Sequence, residues 1–146
     1  MQHYGDSLYK QTDIITADRG KLVVLLYEGA INYLISAKKS IQEGDIEGKC
    51  NSVTRAMDIV QELNYSLKME EGGTIATNLR RLYWFMEKHL IKAKIERQST
   101  RKIDEVISIL SELCEAWREI LEKPEVKVVR ETDGTNHPGL SRGISA

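Results

Sequence analysis

Side chains that commonly perform chemistry are few in this chain, which has three histidines and two cysteines among its 146 residues. A di-iron site in a helical bundle needs Glu-x-x-His on two of its helices. His89 has Met86 three positions before it. His137 has Gly134 at that position, so neither histidine fits the pattern. The sequence therefore predicts no metal site of this kind.

The two cysteines, Cys50 and Cys114, lie on different predicted helices and match no metal-ligand or redox spacing. We interpret them as buried or half-buried thiols of a reducing compartment. The sequence also has no GxSxG, HExxH or phosphate-binding glycine motif. We therefore expect no catalytic residue, metal or cofactor, and we expect the chain to act by binding.

Two short sets of apolar residues lie off the core faces of predicted helices. A helix turns by about 100° per residue, which allows the faces to be counted. Residues at i, i+7 and i+11 share one side in each set. The sets are Val24, Ile31 and Ile35 on the first helix, and Trp84, Ile91 and Ile95 on the third. Phe85 lies on the other flank of the third helix.

The same count predicts the core faces. It places Tyr83, Met86 and Leu90 on the core face of the third helix and Ile46 on that of the second, with Tyr27 at the edge of the first. A glycine pair at 72–73 indicates a loop that leads into the third helix.

Two interpretations of these stripes stay open on the residues alone. In the first, the N-terminal segment with Ile14 and Ile15, or a second copy of the chain, covers them. Alternatively, they form a groove for an amphipathic partner helix, which such apolar anchors would recognise.

Four helices must position these side chains. Helical periodicity extends from about residue 19 to 122 and predicts helices at 19–42, 46–68, 74–95 and 101–122. Connections of a few residues favour antiparallel neighbours. The predicted fold is all-α, an up-down-up-down four-helix bundle over residues 18–122. An N-terminal cap segment, 1–17, precedes it, and a polar, disordered tail, 123–146, follows it.

Composition narrows the function class. Hydrophobic residues make up 41% and charged residues 29%, with a formal net charge of −1. This balance suits a globular core and makes nucleic acid a poor default partner. No apolar run is long enough to span a membrane, and the first residues do not resemble a signal peptide. We expect a cytosolic protein without membrane insertion.

Charge is divided between the last two predicted helices. Residues 80–102 are basic, with Glu87 and Glu96 as the acids, whereas residues 103–125 are mostly acidic. We interpret this as pairing between the two helices, and the alternative is a docking patch for an acidic partner. Each exposed pair would contribute only about 0–1 kcal/mol.

Several segments resemble one known family. GGTIATNLRRLYWFM at 72–86 resembles the pattern GG-IA-NL--LY-YM of its third helix, and TADRGKLVVLLYEGA at 16–30 resembles its TASPEELVLMLYDGA. EGDI at 43–46 and QELN at 61–64 also match. In order and spacing, the chain resembles the FliS family of flagellar secretion chaperones over roughly residues 9–121. It departs from the family at 19–21, where RGK replaces a proline and acidic residues.

The resemblance implies a chaperone that binds the disordered C-terminal segment of flagellin, prevents premature polymerisation and delivers it to the flagellar type III export apparatus. It also implies that Tyr9 contacts flagellin or an export-gate component. The expected partner-binding residues are Tyr9, Ile14, Val24, Ile31, Ile35, Trp84, Phe85, Ile91 and Ile95. We expect a monomer or weak homodimer. The alternative is a bundle-type regulatory adaptor that binds a folded partner, or dimerises, through the same stripes.

Overall fold

The computed structural model describes residues 16–67, 69–98 and 100–122, and within these ranges every regular element is a helix. The helices are α1 (Thr16–Glu43), α2 (Ile46–Tyr65), α3 (Met69–Ile95) and α4 (Thr100–Glu122). Their number and order agree with the sequence prediction. The predicted N-terminal cap segment up to residue 15, and the predicted C-terminal tail, lie outside the described residues.

The turn between α1 and α2 is built by two adjacent residues. Gly44 adopts a φ of 74°, in the left-handed region that favours glycine. Its N–H donates to the carbonyl of Ile41, and the N–H of Asp45 donates to that of Ser40, which closes α1 with a Schellman motif. The Asp45 carboxylate then accepts the N–H of Gly48 at 2.9 Å and caps α2. This turn therefore holds α1 and α2 antiparallel.

Of the two glycines before the straight part of the third helix, only Gly73 has a positive φ. Gly73 has φ 56° and ψ −131°, and regular helical backbone resumes after it. The predicted start at residue 74 therefore marks the start of the straight part of α3, which a short helical segment precedes. Any other residue at this φ would be strained.

The helices form a ring in the order α1, α2, α3, α4. Each helix packs against its two neighbours in this ring, and the diagonal pairs α1–α3 and α2–α4 have no close backbone approach. The predicted antiparallel four-helix bundle is thus confirmed for the described residues.

The core lies on the axis of the ring. Its buried members include Leu34, Val60, Met86 and Leu110, one from each helix. A hydrogen bond of 2.6 Å between the hydroxyls of Tyr27 and Tyr83 crosses the diagonal between α1 and α3. The sequence predicted Tyr27 at the edge of its core face, but it is fully buried.

Burial also changes the acidity of the two phenols. The pKa of Tyr27 and that of Tyr83 both lie above the usual value, and loss of solvation is the largest cause for each. The two hydroxyls bond each other and Trp117 also bonds that of Tyr27, so the pair stays neutral and satisfied inside the bundle.

Candidate functional site

The outer face of α3 exposes a row of large apolar side chains. Trp84 is 52% exposed, Ile91 47% and Ile95 79%. We call these three residues the outer stripe. Tyr83 and Met86, on the opposite side of the same helix, are buried in the core. The helix therefore has two apolar faces, and one of them has no cover among the described residues.

Charged side chains border the outer stripe. The guanidinium carbon of Arg80 lies 5.8 Å from the centre of the Trp84 ring, within cation–π range. Burial raises the pKa of the Glu87 carboxyl, which has no ion-pair partner among the described residues. Cys50 on α2 contacts the carbonyl of Lys94, which places this edge of α3 toward α2.

Phe85 occupies a different flank of α3. Its ring lies 4.3 Å from that of His89, whose Nε2 is 2.6 Å from Oε1 of Glu105 on α4. Phe85 is 44% exposed. It therefore borders the seam between α3 and α4 and is separate from the outer stripe, as the helical count predicted.

The predicted stripe on α1 has different surroundings. Val24 and Ile31 are half-buried and pack against the core cluster, and only Ile35 is largely exposed. We call these three residues the seam stripe, because ion pairs from α1 to α4 flank it. Arg118 bonds Glu28, and Lys38 Nζ lies 2.6 Å from an Asp104 oxygen. Since positions 28, 31, 35 and 38 share one helix face, Ile31 and Ile35 lie between the two pairs.

The structure does not bring the two stripes together. The seam stripe lies toward α4, and the outer stripe lies on the α2 side of α3. These are opposite sides of the ring, because α1 and α3 occupy diagonal corners. They are two separate surfaces and do not form one groove. Tyr9 and Ile14 lie outside the described residues.

Sequence reasoning missed some exposed apolar residues. Leu25 is largely exposed, and the same helical count would have placed it farther from the core than Val24. Tyr65 is the last residue of α2 and extends into solvent. Ile46 was predicted to face the core but is exposed, because it is the first residue of α2 and lies at the end of the bundle.

The described residues contain no cluster of three or more His, Cys, Asp or Glu that could hold a metal ion. Burial raises the pKa of Cys114, which keeps this thiol protonated and unreactive. None of the described helices combines the length and apolar character that crossing a membrane requires.

Comparison with known proteins agrees with this architecture. The family model described as flagellar protein FliS matches residues 1–124. The flagellar secretion chaperone FliS of Salmonella typhimurium is 33% identical over 114 residues, covering 77% of this chain and 84% of the relative. That of Vibrio cholerae is 37% identical over 109 residues, covering 75% and 79%. That of Campylobacter jejuni is 37% identical over 112 residues, covering 77% and 87%.

The family-model match, residues 1–124, includes all four helices. The chain belongs to the FliS family of flagellar secretion chaperones.

Proposed function

We propose that this chain is a cytosolic export chaperone that binds the disordered C-terminal segment of flagellin. It prevents premature polymerisation of flagellin and delivers it to an export-gate component of the flagellar type III system. The observation that supports this most directly is the outer stripe, an exposed apolar row beside a closed core. Relatives named flagellar secretion chaperones supply the biological context.

The chemistry of an apolar row suits a client that is unfolded before assembly. An amphipathic segment would place its apolar face on the row, and the buried area would offset the entropy lost on ordering. Burial of about 1,500 Å2 of apolar surface would contribute tens of kcal/mol before those costs, at roughly 25 cal/mol per Å2. Most of this is offset by ordering and association, so the complex is stable yet reversible. Delivery then requires only a competing receptor.

The placement of the stripes sets the path of the client. A segment that uses both the outer stripe and the seam stripe passes around the bundle, because they lie on opposite sides of the ring. Within the seam stripe, Ile35 is the accessible member, while Val24 and Ile31 contribute mainly to packing. We therefore propose the outer stripe as the principal client surface and Ile35 as a secondary contact.

Three further residues belong to the proposal. Phe85 offers an exposed ring beside the α3–α4 seam and is proposed as a second client contact. Tyr9 and Ile14 are proposed to contact flagellin or the export gate, which rests on the family resemblance.

Calorimetric titration tests the function. The full chain is titrated with the isolated C-terminal segment of flagellin from its own organism, at several temperatures. Saturable 1:1 binding with a negative heat-capacity change is expected, because apolar burial has this signature. Circular dichroism of the same mixture should show added helix beyond the sum of the parts.

Other outcomes point to the alternatives. A folded monomer that ignores the segment contradicts the chaperone proposal and favours an adaptor for folded partners. A dimer that survives dilution and is dissociated by Trp84→Glu would identify the outer stripe as a subunit interface.

A further inference from the structure

A second stripe, made of cations, runs beside the outer stripe on α3. Arg81, Lys88 and Lys92 are exposed and repeat its spacing of i, i+7 and i+11. Each cation precedes a residue of the outer stripe by three positions, and residues three apart are neighbours on a helix surface. We call these three residues the basic edge.

The bundle itself does not neutralise the basic edge. Among the described residues, none of its three cations forms an ion pair. On the facing helix, Glu105 is engaged by His89 and Arg101. The predicted pairing of a basic third helix with an acidic fourth is therefore limited, within these residues, to the contact of His89 with Glu105.

Among the described residues, the other acids of α4 form no ion pair with the basic edge, and two charged contacts at this end of the bundle involve other partners. Asp104 pairs with Lys38 of α1. In the connection from α3 to α4, the acid Glu96 pairs with the base Lys102, and both residues belong to the segment 80–102 that the sequence predicted to be basic. The alternative that the sequence left open, a docking patch for an acidic partner, is thus favoured by the arrangement of charges.

The opposite border of the outer stripe has no such uniform charge. Arg80 lies over Trp84 there, and the half-buried Glu87 follows two turns after Arg80. One border is therefore mixed in sign and the other is cationic along its whole length. A helix that binds the outer stripe and has acidic residues on one border would therefore prefer one rotation about its own axis.

Among the described residues, α4 of a second copy does not provide a matching surface. Helix α4 is rich in acidic residues, but Ile120 is its only large exposed apolar side chain among those described. An acidic face without an apolar row would pair with the basic edge and leave the outer stripe uncovered. The occupant must offer both features on one element.

We propose that the outer stripe and basic edge together bind an amphipathic helix whose apolar face is bordered on one side by carboxylates. The two stripes together extend from residue 81 to 95. At 1.5 Å per residue this is about 21 Å, so roughly four turns of such a helix suffice. Apolar contact supplies most of the affinity, and the carboxylates set orientation and raise the association rate. The inference rests on the proposed function only for the identity of this helix as part of the flagellin segment.

Two synthetic peptides test the charge rule without a natural client. Both have 18 residues with identical leucines along one face, and they differ at three positions on one border, which are Glu in one and Gln in the other. Binding to the full chain is measured by fluorescence anisotropy at low and high salt. The Glu peptide is expected to bind roughly tenfold more tightly at low salt, with the preference reduced at high salt by screening.

Matched double variants locate the effect. Lys88→Glu with Lys92→Glu should abolish the preference for the Glu peptide. Lys21→Glu with Lys39→Glu, two exposed positions on α1, changes the net charge equally and should retain it. All four positions are on the surface, so both variants should keep the thermal unfolding temperature of the parent.

Each result decides the proposal. Equal affinity for the two peptides, or equal loss of preference in both double variants, would overturn it. Parallel titration with the flagellin segment separates the two ideas. Flagellin binding without any charge preference leaves the proposed function standing and removes this inference. A preference for the Glu peptide without flagellin binding supports this inference and contradicts the proposed function.

Discussion

The outer stripe of α3 and the seam stripe of α1 have the same spacing and similar residues, yet they differ in solvent exposure. Ile91 faces solvent, whereas the equivalent Ile31 is half-buried between two ion pairs that join α1 to α4. The difference arises from the neighbouring helix and not from either helix itself. Apolar periodicity therefore locates a second face, but tertiary packing decides whether that face is free to bind.

Removing the outer stripe should have the strongest effect on client affinity. Trp84→Glu with Ile91→Glu should weaken binding of the flagellin segment by about 100-fold or more, because a central aromatic anchor and an aliphatic contact are both lost. The fold should be retained, since both side chains face solvent. Calorimetry and circular dichroism measure the two quantities. Unchanged affinity in a folded variant would show that the outer stripe is not the client surface.

The tyrosine pair tests whether the two stripes act independently. Its hydrogen bond is a direct polar link between α1 and α3. Tyr27→Phe leaves the buried Tyr83 hydroxyl unpaired and should lower the free energy of unfolding by about 1–3 kcal/mol. Tyr83→Phe should cost less, because Trp117 still bonds the Tyr27 hydroxyl. The double substitution should cost less than the sum of the two single changes. Client affinity should stay the same if the stripes do not communicate through this link.

The same pair gives a pH dependence with a definite sign. Both phenols have a raised pKa in the folded protein, against about 10 when unfolded. Their contribution is fully present below pH 10 and is lost as the pH rises above it, because only the unfolded chain then releases the protons. The double phenylalanine variant should show a shallower alkaline fall in denaturant-derived stability. An identical fall would contradict the burial of both hydroxyls.

Ile31 and Ile91 occupy equivalent positions in the two stripes, so their substitutions can be compared directly. Ile31→Ala should lower the free energy of unfolding by about 1–2 kcal/mol, because its side chain packs on the core. Ile91→Ala should change it by less than about 0.5 kcal/mol. For client binding the order should reverse, with Ile91→Ala about three- to tenfold weaker and Ile31→Ala near the parent. Equal effects of the two substitutions on stability would remove the distinction between the stripes.

Much of the fold was predictable from local pattern. Helical periodicity placed Tyr83, Met86 and Leu90 in the core, where they are buried. The glycine pair predicted the break before α3 because a positive φ is a local property. The full burial of Tyr27 was not predictable, since it depends on a hydroxyl partner 56 residues away.

The candidate site was predictable only in part, for the same reason. The helical count identified the outer stripe, whose exposure requires nothing from other helices. It could not show that α4 would flank Ile31 with ion pairs. Nor could it show that Asp104 and Glu105 of α4 would pair with Lys38 and His89, which leaves the basic edge of α3 open. Charge composition by segment gives the sign of a surface but not its pairing.

Glu87, on the border between the outer stripe and α2, should have only a weak effect on thermal stability. Burial raises the pKa of Glu87, so its ionised form opposes folding once the pH exceeds the folded pKa. Glu87→Gln should therefore raise the thermal unfolding temperature slightly at pH 7, and the gain should vanish below about pH 3, where the parent carboxyl is protonated in both states. Glu112→Gln, on the exposed face of α4, reports the generic effect of removing one carboxylate. If the two variants behave alike at both pH values, Glu87 is solvated like any surface residue, and both borders of the outer stripe are fully open to water.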